Sequence, residues 1–162
     1  MNGGLGSAPL PPLAPDDHVL GSGSDEPRLI VYADYECPYC AALELRLAAS
    51  DEPWVFRHFP VRSKHPRAWA AACAAEAAAL QGRFAEMHAS LYADQARLED
   101  PHLWARAQEL GLDVARFDAD RRSEHVLARV QRDFESGIRA GVVTTPTLFE
   151  QGAMRADVPA DT

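Results

Sequence analysis

Cysteine is scarce in this chain: three stand among 162 residues, and only Cys37 and Cys40 form a close pair. A tetrahedral zinc site usually draws four ligands from two such pairs, so no metal site is expected. No apolar run approaches the eighteen or so residues that a membrane helix needs, so no membrane association is expected. Basic residues are the minority, 16 against 24 acidic, for a formal net charge of -8. With no basic stripe to offset that balance, a nucleic-acid partner is not expected. The opening Met1–Pro12 has neither a basic start nor a continuous apolar stretch, and it does not read as a secretory signal. The expected setting is therefore a reducing cytoplasm, or a periplasm only where a leader has been removed. An inert disulfide would be out of place in such a chain. Repeats are absent.

What is present centres on Cys37-Pro38-Tyr39-Cys40. Residues 28–36 before it are apolar and rich in branched and aromatic side chains, the pattern of a buried strand. Residues 41–49 after it are strong helix formers without Gly or Pro. A C-x-x-C between strand and helix favours a redox dithiol over a metal clip. Pro38 suits the first helical position, where its missing N–H would be unpaired anyway. Cys37 then falls at the N-cap, where free N–H groups and the positive end of the helix dipole stabilise a thiolate. Cys37 is the expected accessible nucleophile and Cys40 the resolving thiol. Cys73 lies among alanines and reads as a small buried hydrophobe.

The length fits one domain with a sizeable core. Residues 1–26, dominated by Gly, Pro, Ser and Asp, read as a flexible arm, with leucines at 5, 10, 13 and 20 in no regular spacing. Residues 27–162 form the domain. A strand at 28–35, a helix at 38–49 and a strand at 54–61 make a β-α-β unit with parallel strands. Residues 64–141 read as a helical insert. Its helices run from Pro66 to Leu80, through Phe84–Leu91, from an Asp100-Pro101 cap to Leu110, through a short turn opened by Asp113, and from Ser123 to Ala140. On the last, Leu127, Val130, Phe134 and Ile138 are expected inward. Residues 147–150 are a third strand, and 153–156 at most the stub of a fourth.

The segment Asp34-Tyr35-Glu36-Cys37-Pro38-Tyr39-Cys40 resembles the active site of DsbA-like thiol–disulfide oxidoreductases. The likeness continues in Phe56–Val61, in Gln81-Gly82-Arg83-Phe84 with Met87-His88, and in Gly141-Val142 leading to Thr145-Pro146-Thr147. It spans roughly residues 17–152. Glutaredoxins carry a similar tetrapeptide; the Thr-Pro-Thr about a hundred residues later, after a helical insert, makes the signal specific. The resemblance implies an α/β, thioredoxin-like fold, β-α-β then β-β, with a multi-helix insertion. It implies that the bond before Pro146 is cis and that Thr145 faces the dithiol, where its backbone can pair with an extended substrate. Pro38 and Tyr39 would complete the support of the site.

It also implies the activity: exchange of disulfides with protein or peptide substrates, or glutathione, with no cofactor beyond the Cys37–Cys40 disulfide. A glutaredoxin-like reductase is the enzyme alternative. A redox-sensing or metal-binding module is the non-enzymatic one. Two departures from the family pattern stand out. Relatives carry a buried acid six residues before the first cysteine, where this chain has Val31. Asp34 and Glu36 read better as solvated strand-end acids than as its replacement. His58, Arg62, Lys64 and His65 are either a charge offset or a solvated loop. Related domains also continue into a final helix on the sheet, which this sequence lacks. An apolar sheet face would then be uncovered and need the arm, or a second copy in a homodimer, to cover it.

Overall fold

Leu29–Ala33 (β2) and Trp54–His58 (β3) lie parallel, joined by the helix Pro38–Ala48 (α1). The computed structural model describes residues 12–155. Leu5, Leu10 and Ala156, named above, lie outside them. Ahead of β2 comes an edge strand, His18–Leu20 (β1), antiparallel to β3. After it come Ala68–Ala79 (α2), Phe84–Ala93 (α3), Asp100–Glu109 (α4), Val114–Asp120 (α5) and Glu124–Ala140 (α6). Thr147–Glu150 (β4) and Ala153–Arg155 (β5) close the described order. Among the described strands the sheet runs β1-β3-β2-β4-β5, with only the β2/β3 pair parallel. This is a thioredoxin-like α/β fold with a helical insertion.

Alternation along the strands divides the core into two layers. Val31, Ala33, Trp54, Phe56 and Leu148 face Leu43 of α1 and the apolar sides of α2 and α3. Ile30, Tyr32, Val55 and Phe149 face the other way, onto Ala140, Val142 and Phe134. α2 is buried on nearly every side, from Ala68 through Ala78. Alanine makes this workable, because it forms helix well and lets neighbours approach closely.

Three expectations are corrected. The arm reading fails for His18–Leu20. This strand is held by His18, which stacks on Phe84 at 3.6 Å between ring centroids and contacts Glu76, and by Leu20 against the core. Asp17 just before it pairs with Arg57 of β3 at 3.0 Å, both side chains almost fully covered. Three residues are too few for a periodic signal. The inward face of α6 is also different: Val126, Arg129, Val130, Asp133, Ser136, Gly137 and Ala140 are buried, while Leu127 and Ile138 are exposed. Gly137 explains the shift. A Cβ there would lie 2.7 Å from the Phe59 ring and 3.0 Å from Tyr32, so the helix packs closest where it has no side chain. Finally, the apolar sheet face is not uncovered. Ile30, Val31, Leu148 and Phe149 of β2 and β4 are all buried, which removes the reason given for a homodimer.

Candidate active site

α1 begins where the sequence places it. Cys37 is the N-cap with extended backbone (φ -79°, ψ 120°), Pro38 opens the first turn, and the Cys40 N–H donates to Cys37 Sγ at 3.3 Å. On the other side, the Cys37 thiol lies 3.6 Å from the Thr145 carbonyl oxygen. The Thr145–Pro146 bond is cis. Tyr39 is 75% exposed beside the pair, and Thr147 starts β4 against Tyr32 of β2. Cys37, Pro38, Tyr39, Cys40, Thr145 and Pro146 are thus brought to one place.

Each of the two cysteine residues retains 2% of its surface, so whole-residue exposure does not separate them. Electrostatics does distinguish them. The Cys40 thiol, then Thr145 and the N–H groups of Cys40 and Tyr39, hold Cys37 down at about 6 from an ordinary 9.0, against the opposing effect of burial. Burial, then the neighbouring Cys37, pushes Cys40 far up. A thiolate therefore forms at Cys37 and the proton stays on Cys40. Cys73 is buried and pushed up to about 12, chiefly by burial, which leaves it a poor nucleophile.

Asp34 is not a solvated acid. It is 1% exposed and accepts from the N–H of Glu36 and of Val61, both at 2.8 Å, with His65 Nδ1 at 2.9 Å. It thereby ties the β2–α1 turn to the segment after β3. Glu36 accepts from the Arg67 backbone and guanidinium. His58 is buried against Glu76, Arg62 lies 3.8 Å over the Trp69 ring, and Lys64 is exposed. Part of the support was missed by sequence reasoning. Gln95 donates to the carbonyls of both Tyr35 and Cys37 at 2.9 Å, and Tyr92 to that of Asp34. The Tyr35 hydroxyl pairs with His88 Nδ1 at 2.9 Å. No local pattern marks Gln95, which reaches the turn across about sixty residues from the end of α3. Met87-His88 was part of the family likeness, but its contact with Tyr35 depends on tertiary packing.

One cluster among the described residues has metal-ligand chemistry: His18, His58 and Glu76. Glu76 Oε1 lies 2.5 Å from His18 Nε2 and 2.7 Å from His58 Nε2. Zinc held at 2.0–2.1 Å by tetrahedral ligands sets them roughly 3.3 Å apart. Both contacts fall short of that spacing, converge on one carboxylate oxygen as hydrogen bonds do, and tie β1, β3 and α2 together.

A cysteine held low at a helix N-cap, a buried second cysteine one turn in and the carbonyl before a cis proline beside the first define a thioredoxin-fold dithiol site. The chain matches the family described as "Thioredoxin" over residues 13–158 and belongs to it. A thioredoxin-like oxidoreductase from Silicibacter pomeroyi DSS-3 superposes with a TM-score of 0.74 at 26% identity, over 87% of this chain and 83% of that one. The thiol-disulfide exchange protein alpha-DsbA2 of Wolbachia pipientis shares the fold, with a TM-score of 0.72, 17% identity and coverage of 84% and 76%. The Na(+)/H(+) antiporter NhaA 1 of Mycolicibacterium gilvum (strain PYR-GCK) is 42% identical over 152 residues. The match takes in 88% of this chain but 25% of the antiporter, so this chain spans about a quarter of that relative's length.

Proposed function

We propose that this domain catalyses thiol–disulfide exchange on protein or peptide substrates. The observation that carries the reading is the Cys37 sulfur at the N-cap of α1, 3.3 Å from the Cys40 N–H and 3.6 Å from the Thr145 carbonyl before the cis Pro146, a setting that lowers Cys37 to about 6 and raises Cys40. Cys37 thiolate attacks a substrate disulfide, or in the oxidised form a substrate thiolate attacks Cys37. Either route passes through a mixed disulfide at Cys37 that Cys40 resolves or opens. Stabilising the thiolate favours the reduced pair and makes the disulfide more oxidising.

An extended peptide has a surface to lie on. A groove of about 550 Å³ is lined by Phe59, Val61, Trp69, Phe134, Ile138 and Val143 among others. Val143, 88% exposed, stands two residues before Thr145. A substrate backbone paired with Thr145 would place apolar side chains there. The test is the equilibrium of the Cys37–Cys40 pair against glutathione, followed by turnover of a disulfide-bonded peptide with apolar flanks. A pair that equilibrates and turns over supports the proposal. A pair inert to glutathione and peptide refutes it.

A further inference from the structure

Exchange through Cys37 and Cys40 leaves one proton unassigned, and the inference drawn here rests on that exchange reading. Cys40 is 2% exposed and held protonated by burial. It must lose its proton to attack the mixed disulfide and regain it when the pair is opened. Val31 stands where the family resemblance would place the acid that handles it. Val31 and Cys40 both line a cavity of about 10 Å³ under the dithiol, with Tyr92 and Glu44 also in its wall. Such a space admits about one water molecule. Among the lining residues Glu44 is the carboxylate.

Glu44 follows Cys40 by one helical turn on α1, so both side chains lie on one face. It also lines a separate cleft of about 310 Å³ with Leu20, Ser22, Asp51 and His88. It therefore stands between the buried sulfur and the surface, with 16% of its side chain exposed. Glu44 Oε2 is 2.9 Å from His88 Nε2, a contact that holds the carboxylate beside α3. Burial holds His88 below its ordinary value and neutral, with the Tyr35 hydroxyl on its other nitrogen.

We propose that Glu44 accepts and returns the Cys40 proton, through one water in the cavity beneath the dithiol, in place of the acid missing at Val31. In the reducing direction the Cys40 proton passes to Glu44, and the Cys40 thiolate attacks Cys37 Sγ. The Cys37–substrate bond breaks and the substrate leaves as a thiolate. The pair is oxidised and the substrate disulfide reduced. In the opposite direction a substrate thiolate attacks Cys37, Cys40 leaves as a thiolate, and Glu44 returns the proton. The titratable neighbours are His88 and Tyr92 from α3, Asp34 and Tyr35 from the β2–α1 turn, Cys37 on α1, Asp51 across the cleft, and His18 and His58 beyond His88.

The reduced protein mixed with an aromatic disulfide, dithiobis-nitrobenzoate, should release thiolate in two phases: attack by Cys37, then resolution by Cys40. Wild type that never releases a second thiolate per dithiol refutes the exchange reading itself, whereas two released in a single phase mean only that resolution outruns attack. Given two phases, Glu44→Gln should leave the first unchanged and slow the second by about tenfold or more near neutral pH. The deficit should shrink as hydroxide takes over at higher pH. Glu44→Asp, which keeps the carboxylate, should recover part of the rate. A second phase that is unchanged in Glu44→Gln, or slowed equally at every pH, or a Glu44→Asp variant no better than Glu44→Gln, overturns the assignment.

Discussion

The Cys40 backbone N–H points at the Cys37 sulfur from 3.3 Å, and the Cys40 thiol is the largest single contributor to holding Cys37 near 6. The resolving residue therefore also activates the nucleophile. Alkylation of the reduced protein should show an inflection near 6 and label Cys37, leaving Cys40 unlabelled until denaturation. Cys40→Ala should move that inflection up by about one unit or more, since it removes a thiol donor but keeps the backbone one. Labelling of Cys40 first, or an unmoved inflection, contradicts this.

The same displacement has a signature in stability. A thiol whose value falls on folding, from 9.0 to about 6, stabilises the reduced fold fully above 9.0 and loses that contribution as pH falls through about 6. Between those limits the unfolded state binds more protons, so stability rises with pH. The difference between reduced wild type and Cys37→Ser should grow by up to about 1.4 kcal/mol per unit of pH across that window. Urea denaturation at several pH values measures it, and a flat difference would show that Cys37 does not titrate there.

The three cysteines should separate cleanly by substitution. Cys37→Ser abolishes exchange, Cys40→Ser accumulates mixed disulfides at Cys37, and Cys73→Ala keeps activity within about a few-fold, because burial leaves its thiol protonated. Mass spectrometry of trapped adducts and peptide turnover read all three. Loss of turnover on changing Cys73 would point to a three-cysteine mechanism.

The Glu76 cluster should prove structural. Glu76→Ala leaves buried His58 without its carboxylate and frees β1 at His18, so a loss of about 3–5 kcal/mol is expected by thermal or urea melts. If hydrogen bonds rather than an ion hold the trio, a strong chelator should leave the melting temperature of wild type unchanged. A fall on chelation would assign the cluster to a metal.

Gly137→Ala tests the close approach of α6 to the sheet. Its new Cβ would meet the Phe59 ring at 2.7 Å, and overpacking of this kind costs about 1–3 kcal/mol. A variant as stable as wild type would mean that Phe59 yields freely.

Much of this was legible in the chain because it is local. Pro38 after Cys37, and alanine and leucine after Cys40, define the helix start without reference to anything distant. The helical insert was legible for the same reason, down to its stops at Gly82, Gly111 and Gly141, each with positive φ. The side chains that turn local elements into a site were not. Asp34 carries the composition of an exposed strand end, and only the arrival of Val61 and His65 makes it a buried acceptor. His18 sits in a Gly/Pro-rich context that hides its strand, because its partners Glu76 and Phe84 come from the insert. α6 was misread because helical periodicity ranks Leu127 and Ile138 above a glycine, whereas packing distance reverses that order.

The sequence separation of 108 between Cys37 and Thr145 also bears on timing. A chain synthesised from its N-terminus exposes Cys37 and Cys40 long before β4 emerges to pair with β2. Until then the cysteines have their helix but lack the opposing wall formed by Thr145 and Pro146. Closure of the site at Thr145 therefore waits on a late, non-local pairing. A nascent chain thus carries both thiols before the second wall of their site exists.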